Sequence, residues 1–102
     1  MTDQDCLPIE ALKTDRARYF VIDVRDPQDH AAGHVDGAVN LPLARLLEEG
    51  VDVPEGRTPV TVCGKGGGRS AEAVDALRKA GHDDAVWLCG GTNGWLERAR
   101  EG

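Results

Sequence analysis

One cysteine is followed directly by a short segment rich in glycine and basic residues. This segment, named here the Cys63 loop, is Cys63-Gly64-Lys65-Gly66-Gly67-Gly68-Arg69-Ser70. Its four glycines let the backbone curl until successive N–H groups converge on one point and form an anion cradle. Lys65 and Arg69 add full positive charges, and a thiol in such a field is expected to have a lowered pKa and to react as a thiolate. Cys63 is therefore predicted to be a nucleophile, and Gly64 to Ser70 are predicted to bind an anionic substrate.

The alternative for the same segment is a phosphate-binding loop in which the cysteine is passive. A Walker loop needs Gly-x-x-x-x-Gly-Lys followed by Ser or Thr, and that spacing is missing. A dinucleotide-binding fingerprint matches only loosely around Gly64, because its second and third glycines fall in the wrong frame. The loop also lacks the histidine base of a Cys-His protease. The residue pattern favours a nucleophile that starts from its thiolate form.

Short valine-rich runs alternate with helical patterns on either side of this loop. Residues 19–24, 59–63 and 85–89 are predicted to be buried strands, and residues 37–41 a shorter one. Because the Cys63 loop follows the second of these strands, it falls where open α/β sheets bind their ligands.

Four helices are predicted between and beyond the strands. The first covers residues 8–13, and the second contains an apolar stripe of Leu43, Leu46 and Leu47 before Gly50. The third covers residues 70–80, and the last starts near residue 92 or 93. Ser70 is predicted to be the N-cap of the third helix. The alternation predicts a three-layer α/β/α domain with a mainly parallel sheet.

Composition narrows the function classes further. The chain of 102 residues carries a formal net charge of −6, with 40% hydrophobic and 29% charged residues. One soluble domain over residues 1–102 is predicted, without the basic excess of a nucleic-acid binder and without an apolar run long enough to span a membrane. The acidic first residues do not form a secretory signal, so a cytoplasmic location is predicted. A monomer or a weak dimer is predicted, and neither a heptad nor a long apolar edge is visible that would settle the oligomeric state.

The three cysteines and three histidines show no ligand spacing. Neither a metal site, a cofactor nor a disulfide framework is predicted from them. Cys89 is interpreted as a small buried hydrophobic residue, with a resolving thiol for Cys63 as the alternative. Cys6 is assigned no role.

Three segments in order along the chain resemble the rhodanese family. The first is Val21 to Arg25 together with Gly33 to Pro42, the second is the Cys63 loop, and the third is Leu88 to Gly91 followed by Trp95. The resemblance implies an α/β/α fold with about five strands and an activity that transfers a sulfane sulfur. It further implies that Cys63 attacks thiosulfate or a similar donor, releases sulfite, and passes the sulfur from its persulfide to cyanide, a thiol or a protein.

The resemblance also suggests roles for residues around the nucleophile. Lys65 and Arg69 would neutralise a small anionic donor. Asp23 and Arg25 would mainly organise the structure through hydrogen bonds, with direct substrate contact as the less favoured alternative. Independently of the resemblance, His34 follows Gly33 in a turn and is predicted to anchor backbone groups, whereas His30 is interpreted as a surface residue.

One departure from the family pattern keeps other functions open. Five residues separate Cys63 from Arg69, whereas many small rhodaneses have four, and Cys-x5-Arg-Ser resembles the phosphatases and arsenate reductases that share the fold. Against these enzymes, the loop contains no acidic residue to protonate a leaving group, and Val62 stands where they usually have histidine. A third hypothesis is a non-enzymatic persulfide carrier or sensor that docks on another protein.

Overall fold

The computed structural model of the chain describes residues 6–101, and it contains a five-stranded parallel sheet. The strands lie in the order β1-β5-β4-β2-β3. Their bounds are β1 Cys6–Leu7, β2 Tyr19–Asp23, β3 Val39–Asn40, β4 Thr58–Val62 and β5 Val86–Leu88. The predicted α/β class with a parallel sheet is confirmed.

Five α-helices and one short 3-10 turn connect the strands. The helices are α1 Ile9–Thr14, α2 Pro27–Ala32, α3 Leu43–Glu49, α4 Gly68–Lys79 and α5 Gly91–Glu101, and the 3-10 turn is Arg16–Arg18. None of the helices within residues 6–101 combines the length and the apolar character that a membrane crossing requires.

The two central strands, β2 and β4, form the longest pairing of the sheet. Their register runs from Tyr19↔Thr58 to Asp23↔Val62. Most of their side chains are buried, which explains the nearly continuous apolar runs in both segments. The carboxyl ends of both strands therefore lie side by side, beside Asp23 and Cys63.

Hydrophobic residues cover the sheet on both faces, as the three-layer prediction requires. One cluster joins α1 and α5 to the sheet: Ile9, Leu12, Val21, Val35, Val60, Val62, Leu88 and Trp95. The other joins α3 and α4 to the opposite face: Ile22, Val24, Leu46, Cys63, Ala73, Val74, Leu77 and Ala85. Cys63 thus belongs to the α4 side of the sheet.

Several element boundaries differ from the predictions. The predicted Ser70 N-cap is wrong, because α4 begins two residues earlier, at Gly68, and Gly67 holds the cap position. The predicted strand over residues 37–41 is reduced to two residues. In the predicted α3 stripe Leu46 is buried, whereas Leu47 is 47% exposed. β1 and α2 were not predicted.

Candidate active site

The Cys63 loop lies between the end of β4 and the start of α4. Three consecutive glycines, Gly66, Gly67 and Gly68, have φ values of +94°, +68° and +48°. Side-chain-bearing residues rarely adopt this region, so the glycine run is what allows the backbone to turn around the sulfur. The loop has the curled shape that the sequence predicted.

The Cys63 thiol is enclosed by groups of this loop. Its Sγ lies 3.3 Å from the carbonyl oxygen of Gly67 and 3.3 Å from Oγ of Ser70. The Ser70 hydroxyl in turn donates to the Gly67 carbonyl over 2.8 Å. Cys63 is only 6% exposed and Ser70 is fully buried. Since a hydroxyl can rotate, Ser70 can accept from the neutral thiol or donate to the thiolate.

The pKa of the Cys63 thiol is lowered despite its burial. Burial alone acts to raise the pKa, because it disfavours the charged thiolate. Hydrogen bonds from the Ser70 side chain and from the backbone N–H groups of Ser70, Gly66 and Lys65 outweigh that effect. The site therefore favours a negatively charged sulfur by means of neutral dipoles that point at it.

The two cations of the loop lie farther out. Lys65 and Arg69 are both exposed, whereas the hydrogen bonds to Cys63 come from backbone amides and a hydroxyl. The structure thus brings together Cys63, Ser70 and the amides, and it places the two charges at the rim of the cradle.

Residues 89–93, named here the 89–93 wall, support the loop from behind. The N–H of Thr92 donates to the Cys63 carbonyl over 2.8 Å, and the N–H of Asn93 donates to the Gly64 carbonyl over 2.9 Å. A Cβ on Gly91 would lie 2.6 Å from the Cys63 carbonyl oxygen. Only glycine fits at this position, which gives a physical reason for Gly91 in the Leu88 to Gly91 segment of the family resemblance.

Asp23 and Arg25 form a buried ion pair at the end of the neighbouring strand. Arg25 donates from Nε to Oδ1 over 3.0 Å and from Nη2 to Oδ2 over 2.8 Å. Burial acts to raise the pKa of Asp23, but hydrogen bonds from Arg25 and His30 hold it below its ordinary value. The charge on Cys63 is one of the smaller influences that raise the pKa of Arg25, after the hydrogen bond to Asp23.

His30 belongs to the same network, so its interpretation as a surface residue is wrong. Its Nδ1 lies 2.8 Å from Oδ2 of Asp23, and its side chain is only 19% exposed. The ring of His34 stacks on that of His30, and Nδ1 of His34 lies 2.8 Å from the His30 carbonyl oxygen. His34 thus contacts a backbone group, as its position in the turn predicted. The approach of His30 to Asp23 depends on α2, which the sequence reasoning missed.

Cys6 and Cys89 are joined in a disulfide, with their Cα atoms 5.0 Å apart. The expectation of no disulfide, with Cys89 as a free buried thiol and Cys6 without a role, is therefore wrong. The two residues are 83 positions apart and meet only because β1 pairs with β5. Cys63 is the free cysteine of the described residues.

A groove of about 380 Å³ opens beside the loop on the α4 side of the sheet. It is lined by Gly67, Gly68, Ala71, Val74, Asp75, Arg78 and Trp87. Trp87 is only partly buried. The Trp87 ring also touches the loop, since a Cβ on Gly66 would lie 3.1 Å from the ring. Within residues 6–101, no group of three metal-ligating side chains comes together.

A parallel α/β sheet with an enclosed, acidified thiol at the end of its central strand defines a class of cysteine-dependent domain. The family model of the rhodanese-like domain matches residues 9–98 of the chain. The chain therefore belongs to the rhodanese-like domain family.

Individual relatives agree with this assignment. The thiosulfate sulfurtransferase GlpE of Shewanella oneidensis is 35% identical over 77 residues, which cover 76% of this chain and 75% of that protein. The probable adenylyltransferase/sulfurtransferase MoeZ of Mycobacterium tuberculosis is 44% identical over 81 residues, and this chain spans only 20% of its length. A rhodanese-related protein from Thermoplasma volcanium superposes with a TM-score of 0.81 at 28% identity, covering 91% of each chain.

Proposed function

We propose that this protein is a sulfurtransferase that carries a sulfane sulfur on Cys63 and takes it from a small anionic donor such as thiosulfate. The observation that carries the proposal is the lowered pKa of a buried thiol surrounded by amide and hydroxyl donors. Names of relatives support the reaction class, since GlpE and the Escherichia coli protein PspE, 36% identical over 62 residues, are both thiosulfate sulfurtransferases.

The first step is attack of the Cys63 thiolate on the outer sulfur of thiosulfate. A new S–S bond forms at Cys63, the S–S bond of thiosulfate breaks, and sulfite leaves with the electron pair. In the second step a nucleophilic acceptor attacks the outer sulfur of the persulfide, and the Cys63 thiolate is regenerated. Thiolate and persulfide are both anionic, so the amides of Lys65, Gly66 and Ser70 can stabilise the charge in each state.

Lys65 and Arg69 act before this chemistry, by attracting the donor. They form a local positive region on a chain whose net charge is −6. A divalent anion approaching an acidic protein is steered to such a region. Asp23 and Arg25 then act as positioning residues, because their mutual hydrogen bonds fix the strand end beside the loop.

The test is intact mass before and after incubation with thiosulfate. The protein is expected to gain one sulfur atom, and subsequent treatment with a thiol is expected to remove it. Cys63→Ala is expected to gain none, while the Cys6→Ser/Cys89→Ser double variant, which keeps Cys63 as its sole cysteine, is expected to gain one. Failure of the unmodified protein to gain sulfur from thiosulfate and from other sulfane donors would contradict the proposal.

The five-residue spacing in the loop supports a second candidate, a phosphatase or arsenate reductase. Hydrolysis of an aryl phosphate or reduction of arsenate that depends on Cys63 would favour it. Sulfur transfer is preferred because residues 63–70 contain no carboxylate to act as a general acid.

The third candidate, a carrier that serves a protein acceptor, predicts slow turnover with cyanide and rapid delivery of sulfur to one partner protein. The cytoplasmic location stays a prediction.

A further inference from the structure

The Cys6–Cys89 disulfide lies at the start of the wall that supports the Cys63 loop. Cys89 is the first residue of that wall, and its N–H donates to the Leu7 carbonyl over 2.9 Å. The next residue, Gly90, packs on the loop, since a Cβ on Gly66 would lie 3.1 Å from its backbone nitrogen. Two residues later the hydrogen bonds to the Cys63 loop begin. A short, continuous path of backbone therefore links the disulfide to the thiol.

The sheet alone holds this end of β5 weakly. β4 pairs with β5 at Val60↔Val86 and Thr61↔Trp87. At Leu88, the next residue of β5, the pairing is with Leu7 of the two-residue edge strand β1. Strands this short are marginal without further support. The disulfide supplies a covalent link at this point.

Cys6 and Cys89 are both partly exposed residues, so their disulfide is more accessible to a reductant in solution than a bond inside the core would be. Cys63, in contrast, is buried inside its loop. The two kinds of cysteine therefore differ in environment, and the disulfide can change its state while the Cys63 thiol stays in its cradle.

We propose that the Cys6–Cys89 disulfide is a redox-responsive positioning element, which holds the 89–93 wall against the Cys63 loop when oxidised and releases it when reduced. The effect on sulfur loading rests on the proposed function, whereas the effect on the reactivity of Cys63 does not. Reduction is expected to loosen the 89–93 wall, so that the loop amides point less directly at the sulfur. Both the loading of sulfur onto Cys63 and the reaction of its thiol with other reagents are then expected to be slower.

The chemistry of the change needs a two-electron dithiol reductant. One thiolate of the dithiol attacks a sulfur of the disulfide, and the Cys6–Cys89 bond breaks to give one thiolate and a mixed disulfide. The second thiol of the reductant then displaces the remaining cysteine and closes its own disulfide. Two electrons and two protons pass to the protein, leaving two free thiols.

The experiment compares oxidised and reduced protein by the rate at which iodoacetamide alkylates Cys63 across a range of pH. The protein is reduced with dithiothreitol and freed of it under anaerobic conditions, because remaining thiol would also strip a persulfide. Trypsin cleavage after lysine and arginine places the three cysteines in separate peptides, residues 1–13, 58–65 and 80–98. Cys63 can therefore be followed alone by mass spectrometry in both states.

Reduction is expected to shift the alkylation profile of Cys63 to higher pH and to slow alkylation near pH 7 by about two- to fivefold. Loading from thiosulfate is expected to slow to a similar degree, and reoxidation to restore both. Identical profiles in the two states would overturn the proposal even if sulfur is loaded normally. A shifted profile without any loading would support the positioning role while contradicting the proposed function.

Single serine variants of the two cysteines distinguish an effect of the disulfide bond from an effect of either cysteine side chain. Cys6→Ser and Cys89→Ser both remove the disulfide, so each is expected to behave like the reduced protein. The double variant is expected to be insensitive to reductant. A slow Cys89→Ser variant beside a Cys6→Ser variant that matches the oxidised protein would overturn the proposal, because Cys89 would then act through its own side chain.

Discussion

At the scale of single residues, Ser70 is the side chain that responds to the charge on Cys63. Its hydroxyl lies between the Cys63 sulfur and the Gly67 carbonyl, at 3.3 and 2.8 Å. When the thiol loses its proton, the hydroxyl can turn from the carbonyl towards the sulfur and become a donor. Ser70 thus contributes to the acidity of the thiol as well as to the first turn of α4.

Ser70→Ala is expected to raise the pKa of Cys63, because the thiolate loses its one side-chain donor while its burial stays the same. Sulfur loading near pH 7 should fall by about fivefold and recover as the pH is raised. The measurement is the pH profile of Cys63 alkylation and of loading. The control is Thr61→Val, which removes another buried hydroxyl, one that donates to the Ser70 carbonyl over 2.8 Å and does not contact the sulfur. An unchanged profile for Ser70→Ala would contradict this role.

Asp23 makes stability depend on pH in the acid range. Its folded-state pKa lies below the ordinary value of 3.8, so the carboxylate stabilises the fold above that value and the stabilisation is lost as the pH falls through the folded-state pKa. Asp23→Asn is expected to lower the free energy of unfolding at pH 7 by about 3 kcal/mol, since Arg25 loses its charged partner. The free energy of unfolding of this variant is also expected to decrease less steeply than that of the unmodified protein as the pH falls below about 4.

Urea denaturation at several pH values measures both effects of Asp23→Asn. Asp26→Asn removes the same charge from an exposed neighbour and is expected to change the free energy of unfolding by less than about 0.5 kcal/mol. Equal pH slopes for Asp23→Asn and the unmodified protein would show that this carboxylate does not control acid stability.

At the scale of elements, the Cys63 loop is confined from two sides, by its own glycines and by the end of β5. Gly66 shows both constraints. Its φ is +94°, and a Cβ added to it would lie 3.1 to 3.2 Å from atoms of Gly90, Trp87 and Leu88. The backbone around the sulfur is therefore fixed by packing as well as by conformational preference.

Gly66→Ala is expected to displace the loop from the β5 end and to abolish most sulfur loading, with a loss of at least about 1 kcal/mol in the free energy of unfolding. Gly56→Ala is the matched control, because Gly56 has a similar φ of +85° but nothing within 4 Å of the added atom. Its expected result is a comparable backbone penalty with normal loading. Equal loading by both variants would show that the packing at Gly66 is unimportant.

Most of the elements that the sequence predicted contain either a continuous apolar run or an apolar stripe. β2, β4, β5, α3 and α4 each bury side chains against the sheet or its helices, and their positions were predicted to within a few residues. α2 contains no buried residue, so it leaves no apolar stripe to recognise. β1 is two residues long and takes its conformation from β5, a partner that a local pattern cannot identify.

In the site, too, features formed by one continuous segment could be predicted, whereas contacts between residues distant in sequence could not. Cys63, the glycines and the basic residues of the loop form one continuous motif, so the cradle could be predicted. The Ser70 N-cap failed because Gly67 can adopt the positive φ that starts the helix earlier. The disulfide was missed because its cysteines are separated by most of the chain.

At the scale of the whole molecule, the Cys6–Cys89 disulfide joins residues 83 positions apart and so closes most of the chain into a loop. Such a link restricts the unfolded chain, so reduction is expected to lower the free energy of unfolding by about 2–5 kcal/mol. Urea denaturation with and without dithiothreitol measures this difference. The Cys6→Ser/Cys89→Ser double variant should match the reduced protein under both conditions, and equal stability of oxidised and reduced protein would contradict the expectation.

The position of β1 at the sheet edge next to β5 also bears on how the chain folds. Leu7 leaves the ribosome before strands β2 to β5 are made, and its partner Leu88 follows 81 positions later. During synthesis β1 therefore stays unpaired until nearly all of the remaining sheet has been made. Pairings between segments so distant in sequence are slow to form. The pairing of β1 with β5, which holds the 89–93 wall against the Cys63 loop, is therefore expected to form late in folding.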